Sequence, residues 1–377
     1  MKPLVSIITP SYNQDRFIRE TIESVLSQDY DNIEYIIIDG CSTDNSLNII
    51  KEYENQLKYV SQKDQGQSDA INKGFKMAHG EIIAWLNSDD IYEPNCISAV
   101  VEEFSRNQTL GLLYGDGYII DENSNKIKIF EATQEFDFWK LVNYWDYIMQ
   151  PTAFFRREVL KQVNFLDTNL HYCMDWDLWI RMAAVSEVKY IPQLLACSRE
   201  YSNTKTSTGG DRRLAEIVGL LQKYSGKKKP LGVASYKAST FYMKHANDIW
   251  FIRKCAALYL VYKHKWLNKQ IPLRYEDGWI GKKYAIAVPG YVRRVILEIE
   301  LTLSKVIPQT INIYVNQRIR SIETYEKLGC KEIIIDLPSK NIMNEITIIC
   351  NKTCIDGGAD KRILSVKILD ITFLESA

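Results

Sequence analysis

The first ninety residues alternate between two periodicities, and that alternation limits the fold more than any other feature. Residues 4–9, Leu-Val-Ser-Ile-Ile-Thr, form a short β-branched run that stops at Pro10. Residues 15–28 then place Phe17, Ile18, Ile22, Val25 and Leu26 at helical spacing. A second run, residues 33–38, closes on Asp39-Gly40, and residues 42–44 offer N-cap side chains for a helix to about Tyr53. Residues 57–61, 68–78 and 81–86 continue as strand, helix and strand. Such alternation builds a parallel sheet with helices on both faces. Ligands in these sheets gather beyond the carboxyl ends of the strands. Thr9, Asp39 and the pair Asp89-Asp90 all fall there.

The Asp89-Asp90 pair follows a short apolar run, Ile82 to Leu86. Adjacent carboxylates repel and are costly to desolvate unless a cation or water reaches them. At a strand end they fit a hard divalent cation that also holds a phosphate. A solvated surface turn is the other fate open to such a pair. Net charge is zero over 377 residues, which argues against bulk binding of nucleic acid. The eight Cys are scattered and the four His make no zinc pattern. They read as reduced thiols of a cytoplasmic protein. Neither a secretory leader nor an apolar run of roughly 20 residues is expected to direct the chain into a bilayer.

The length calls for two or three domains. Residues 95–106, 137–144, 157–163 and 175–184 read as helices, 111–131 as a strand pair and 188–190 as a last strand. Residues 211–270 change character. They read as helices, and from 221 they hold eleven Lys or Arg against one acid, Asp248, interleaved with aromatics. This stretch fits either a peripheral contact with anionic lipid or helices packed on their neighbours with lysines in water. From residue 271 short alternating segments separated by Asn, Gly, Pro and Asp read as an all-β sandwich. The domain expectation is therefore 1–210, 211–270 and 271–377.

Five segments in one register carry a resemblance. They are Ser6-Ile-Ile-Thr-Pro-Ser-Tyr-Asn13, Ser24-Val-Leu-Ser-Gln-Asp29, Ile38-Asp-Gly-Cys-Ser-Thr-Asp44, Gln65-Gly-Gln-Ser-Asp-Ala-Ile-Asn-Lys-Gly74 and Leu86-Asn-Ser-Asp-Asp90. Together they resemble family 2 glycosyltransferases over about residues 3–205. The resemblance implies a GT-A fold: a Rossmann-like α/β domain that binds a nucleotide-sugar, here followed by the helical segment and the sandwich. The last domain resembles small β-domains appended to bacterial polysaccharide glycosyltransferases, with Trp279 as its first candidate for stacking on a sugar.

The resemblance also implies roles. Thr9, Pro10 and Tyr12 would lie against the donor's base and ribose, and Asp39 would accept a hydrogen bond from the imide nitrogen of uracil. Many members carry Asp-Asp where this chain has Asp39-Gly40. Gln67 and Lys73 would approach the nucleotide, and Asp89 the ribose or sugar. Asp90 would hold Mn²⁺ or Mg²⁺ at the diphosphate. Asp175 would be the general base, with Asp177 a weaker candidate and Arg181 anchoring the helix. Gln150 and Trp176 would lie on the acceptor side. Arg199 and Lys205 belong to a closing loop and would neutralise phosphate; members of the family often carry His where this chain has Tyr201.

The expected function is an inverting, metal-dependent hexosyltransferase. Its donor is a nucleoside diphosphate sugar, in the first place UDP-linked. Its acceptor is a saccharide or lipid-linked saccharide of bacterial surface polysaccharide synthesis, handled in the cytoplasm or at the inner membrane face. A catalytically silent glycan-binding protein would use the sandwich alone. A nucleotidyltransferase would need a Gly-rich, basic loop after the first strand, and Thr9-Pro-Ser-Tyr-Asn-Gln14 is not one.

Overall fold

The computed structural model describes residues 2–202, 204–244, 279–280, 283–289, 292–301, 309–316, 318–338, 343–350, 354–355, 363–364 and 366–375. The expected alternation is present in order: β1 (Val5–Ser11), α1 (Ile18–Leu26), β2 (Ile33–Asp39), α2 (Ser46–Lys51), β3 (Lys58–Ser61), α3 (Gln67–Met77) and β4 (Ile82–Trp85). β1 pairs in parallel with β2 on one side and β4 on the other, and β2 pairs with β3. Every residue of β1 and β4 is buried, as strands covered on both faces require. α1 lays Ile18, Thr21, Ile22 and Val25 on the sheet, the face its spacing predicts.

The chain continues through β5 (Ile91–Tyr92), α4 (Cys96–Arg106), β6 (Leu110–Ile120), β7 (Lys126–Ile129), α5 (Phe138–Asn143), β8 (Phe154–Arg156), α6 (Arg157–Gln162), α7 (Met174–Ala183), β9 (Glu187–Arg199), α8 (Lys205–Thr208) and α9 (Gly210–Ser225). The sheet has nine strands in the order β3-β2-β1-β4-β8-β6-β9-β5, with β7 on β6. β8 runs antiparallel to both β4 and β6. This mixed sheet, opening with a 3-2-1-4 order and covered by helices, has the arrangement that the resemblance to GT-A glycosyltransferases implies. Its switch point lies between β1 and β4, where the order reverses, and ligand crevices form at such points.

One strand is much longer than its expected three residues. β9 spans thirteen, although Pro192 and Gln193 interrupt its apolar pattern. Its ladder with β6 absorbs them through irregularities around Asp116. A Cβ on Gly115 would lie 2.7 Å from the Gln193 carbonyl oxygen, so the bulge needs glycine there.

The chain divides into two units, residues 1–137 with 145–220, and residues 138–144 with 221–377. The second contains α5, α10 (Leu231–Lys244), and strands β10 (Trp279–Ile280), β11 (Lys283–Pro289), β12 (Val292–Leu301), β13 (Gln309–Val315), β14 (Arg318–Tyr325), β15 (Gly329–Asp336), β16 (Met343–Cys350), β17 (Cys354–Ile355), β18 (Ile363–Leu364) and β19 (Val366–Glu375). Two four-stranded sheets, β10-β19-β12-β15 and β11-β16-β13-β14, are antiparallel throughout. Val295, Leu297 and Ile299 of one share a core with Ile311, Ile313 and Ile348 of the other. β14 was not legible as a strand because it is an edge strand, rich in charge, with Ile322 exposed.

Within this unit Lys227 pairs with Glu345 at 2.6 Å and donates to Asn143. The rest of the basic stretch, from residue 245 to 270, lies outside the described residues, as does the Trp279 side chain. No helix among the described residues is long and apolar enough to cross a membrane.

Candidate active site

The ends of β1, β2 and β4 and the start of α7 bring the candidate residues together, with unequal exposure. Tyr12, just past β1, is 59% exposed. Thr9 points the other way. It is buried, its hydroxyl 3.1 Å from the Tyr35 hydroxyl, so its side chain belongs to the core. Pro10 is buried beside it.

Asp39, at the end of β2, is fully buried and its carboxylate accepts three donors. Oδ1 accepts from the Ser42 hydroxyl and Oδ2 from the Ser61 hydroxyl, each at 2.5 Å, and the Ser42 N–H approaches both oxygens. Next to it, Gly40 leaves a space that Asp64 fills. A Cβ on Gly40 would lie 2.6 Å from Asp64 Oδ2 and 3.4 Å from the Tyr12 ring. A half-buried carboxylate thus stands beside Tyr12 where many family members carry their second Asp. Sequence reasoning missed Asp64; the departure at Gly40 was the only signal for it.

Beyond β4, Asp89 and Asp90 differ in access. Asp90 is 3% exposed. Its Oδ1 accepts the Arg199 N–H at 2.9 Å and its Oδ2 the Asn87 amide at 3.1 Å. Burial and the neighbouring Asp89 push its carboxyl up to about 8. Asp89 is half-buried and accepts the Tyr201 hydroxyl at 3.0 Å. Burial raises its carboxyl too, against the Tyr201 hydrogen bond. Among the described residues no Lys, Arg or His lies within ion-pair distance of either. Nor do any three His, Cys, Asp or Glu group as a self-sufficient metal site. Two carboxylates destabilised by each other and by burial are suited to a divalent cation, with other ligands drawn from phosphate and water. Of the two, Asp89 offers the more open oxygen.

A chain of amides joins this pair to the rest of the site. Lys205 donates to Gln67 Oε1, Gln67 Nε2 to Asn87 Oδ1, and Asn87 Nδ2 to Gln150 Oε1, each at 2.8 Å. Gln150 closes the chain on the Trp85 carbonyl at 2.8 Å. Lys73 sits to one side, paired with Asp69 at 3.1 Å.

Asp175 lies in the first turn of α7, where the helix dipole favours its charged form. It is half-buried, and its Oδ1 accepts the Trp176 N–H at 2.8 Å. Burial nevertheless raises its carboxyl, opposed by that hydrogen bond and by the charges of Lys205 and Arg213. Asp146 is a further member that the sequence did not disclose; burial, reinforced by Asp175, pushes its carboxyl well up. The indoles of Trp85 and Trp179 stack at 5.3 Å and 19°, fixing α7 against β4 and hence Asp175 relative to Asp89.

Three expectations change. Arg199 does not face a phosphate. Its guanidinium is fully buried and donates to the carbonyls of Asp89 and Asp121 and to Ser124, pairs with Glu20 at 2.7 Å, and lies over Phe17. A buried guanidinium is stable only with its donors occupied, and here the protein occupies them. Trp176 is 2% exposed and offers no open ring face. Asp177 is 1% exposed and held by Arg181 at 2.7 Å, which leaves Asp175 as the accessible carboxylate of α7.

Residues 6–164 match the model of glycosyl transferase family 2. The chain is 31% identical over 248 residues to an uncharacterized glycosyltransferase of Rickettsia typhi, covering 63% of this chain and 76% of that one. Among solved structures, TarS 1–349 of S. aureus with UDP-GlcNAc aligns at TM-score 0.47 and 15% identity, covering 72% of this chain and 95% of that one. The mannosyltransferase PcManGT of Pyrobaculum calidifontis with GDP-Man and Mn²⁺ aligns at 0.47 and 18%, covering 70% and 76%. The chain belongs to glycosyltransferase family 2 and is a glycosyltransferase.

Proposed function

We propose that the enzyme is an inverting transferase using a UDP-sugar and a divalent cation, with Asp175 as the general base. The observation that carries this is the amide chain Lys205–Gln67–Asn87–Gln150, which ties the β4 carboxylates to a crevice that also holds Asp175 beside Lys205. Tyr12 would supply a stacking face for the base, and Asp64, rather than Asp39 with its three donors, is the carboxylate we assign to accept a base N–H. Mn²⁺ or Mg²⁺ is assigned to Asp89, with Asp90 behind it. Bound there, the cation would supply positive charge to the leaving diphosphate. Lys205, the cation nearest both Gln67 and Asp175, would face phosphate. An acceptor hydroxyl approaching from the α7 side loses its proton to Asp175 as it attacks the anomeric carbon. One displacement gives a β-linkage from an α-linked donor.

The acceptor we assign is a saccharide or lipid-linked saccharide of surface polysaccharide synthesis, met at the inner membrane face. Residues 1–210 are the catalytic domain in this reading, 211–270 a basic connecting segment that touches the membrane in part, and 271–377 a carbohydrate-binding sandwich. The test is release of nucleoside diphosphate across UDP-glucose, UDP-GlcNAc, UDP-galactose and GDP-mannose with Mn²⁺, beside Asp175→Asn. Release from a UDP-sugar that is lost on chelation and in the variant supports the reading. Full release by Asp175→Asn removes Asp175 as the base. Failure to bind UDP with Mn²⁺ removes the donor assignment.

A further inference from the structure

Helix α7 begins without a local cap. Its N-cap residue is Cys173, whose side chain caps nothing, and the first-turn N–H of Trp176 is taken by Asp175 itself. A helix start normally uses Ser, Thr, Asp or Asn to hold its unpaired N–H groups. Here a residue more than forty positions away holds the N-cap N–H and the two amides that lead into it. Glu216, on α9, accepts three successive backbone N–H groups: His171 at 2.9 Å on Oε2, and Tyr172 at 2.5 Å and Cys173 at 2.6 Å on Oε1. Successive amides converging on one anion form a nest, and charge-assisted bonds of this kind are the strong ones.

The path of the chain shows what this contact requires. Between Lys205 and Glu216 lie Gly209 and Gly210. A Cβ on Gly209 would meet the Tyr172 ring at 2.9 Å, and Gly210 has a φ of +47°, in the left-handed region that favours glycine. The pair lets α9 turn tightly over the loop 171–173. The same segment carries Lys205, bonded to Gln67 at 2.8 Å. One short stretch thus touches the donor-side amide chain at one end and the base-bearing helix at the other.

We propose that Glu216 is a positioning residue for the transfer reaction: by clamping the 171–173 amides it fixes the start of α7 and so the direction of the Asp175 carboxylate. It touches neither donor nor acceptor and acts only through Asp175. This rests on the reading of Asp175 as general base. A displacement of about 1 Å in a reacting group costs up to about a hundredfold in rate, so a clamp two residues before the base bears directly on turnover.

The test compares Glu216→Ala, Glu216→Gln, Asp175→Asn and the double variant Glu216→Ala/Asp175→Asn in the full chain. Amide exchange of residues 171–176 should rise about tenfold or more in Glu216→Ala. With the donor that turns over in the panel above, kcat should fall about 10- to 100-fold. Affinity for UDP with Mn²⁺ should stay within about twofold. Glu216→Gln, which keeps one acceptor oxygen, should recover part of the loss and serves for the same comparisons if the alanine variant does not fold. In the Asp175→Asn background, Glu216→Ala should cost less than about twofold. Unchanged amide exchange overturns the clamp, and equal cost with and without the Asp175 carboxylate overturns its action through the base. Full activity of Asp175→Asn would instead defeat the base assignment, while the exchange result would still stand. Exchange needs no turnover, so it decides alone if the panel yields no donor.

Discussion

The ends of β2 and β4 carry the same chemical group in the same sheet and treat it in opposite ways. At the end of β2, Asp39 is buried but fully answered by the hydroxyls of Ser42 and Ser61 and the Ser42 N–H. At the end of β4, Asp89 and Asp90 are buried against each other, with a few N–H and O–H donors and no cationic side chain within ion-pair distance among the described residues. A satisfied carboxylate holds its loop in place. An under-neutralised pair carries a demand for positive charge that a proton or a bound cation can meet. On the proposed function, the difference separates a strand end that holds its loop from one that takes the cation.

The largest expected effect breaks the comparison at β4. Asp89→Asn should lower transfer by about 10²–10³ and weaken Mn²⁺-dependent UDP binding, measured by calorimetry. If Asp90→Asn alone produced that loss, the metal assignment would return to Asp90. At β2 the expected loss is in folding instead. Asp39→Ala removes the acceptor shared by the Ser42 and Ser61 hydroxyls and the Ser42 N–H, at about 1–3 kcal/mol, read by urea unfolding. A variant as stable as the parent would mean that the β2 carboxylate is not structural.

The pH dependence of stability should also divide the two ends. The Asp90 carboxyl is raised on folding to about 8 from 3.8, so the folded state binds its proton more tightly than the unfolded chain does. Its contribution is full below about pH 4 and is lost as the pH rises through about 8. In chelator, Tm should therefore decline between pH 6 and 8.5, and the decline should shrink on adding Mn²⁺ and in Asp90→Asn. The same slope in all three would exclude this pair as its source.

Much of this was legible before any coordinates. Short β-branched runs mark the strands themselves, and Asp39 closes β2 as expected, but β1 continues through Pro10 to Ser11 and β4 stops at Trp85, short of Asp89; period and burial agree along α1 because one face must meet the sheet. What the sequence could not carry is direction and long-range partnership. Arg199 reads as a cation on a loop near phosphate, yet Glu20, Asp89, Asp121 and Ser124 draw it inward from distant positions. Trp176 and Thr9 sit beside expected site residues but their side chains face the interior, since successive residues point in different directions on a helix as on a strand. Glu216 carries no local pattern at all, because its partners are backbone amides, which every sequence possesses.

The smallest expected effect sharpens the comparison at β2, where the proposal assigns base reading to Asp64 instead of Asp39. Asp39 already accepts from two hydroxyls and an N–H, and the proposal gives base reading to Asp64, which reaches over Gly40 beside Tyr12. Asp64→Asn should raise the donor KM by about tenfold, ~1.4 kcal/mol, and narrow the preference for UDP over other nucleoside diphosphates. Gly40→Ala should act in the same direction, because its Cβ would lie 2.6 Å from Asp64 Oδ2 and displace that carboxylate. The two changes share one contact, so combining them should cost no more than either alone. Additive losses would mean that Gly40 acts through the backbone of the β2 turn, and that the small residue is there for the loop rather than for Asp64.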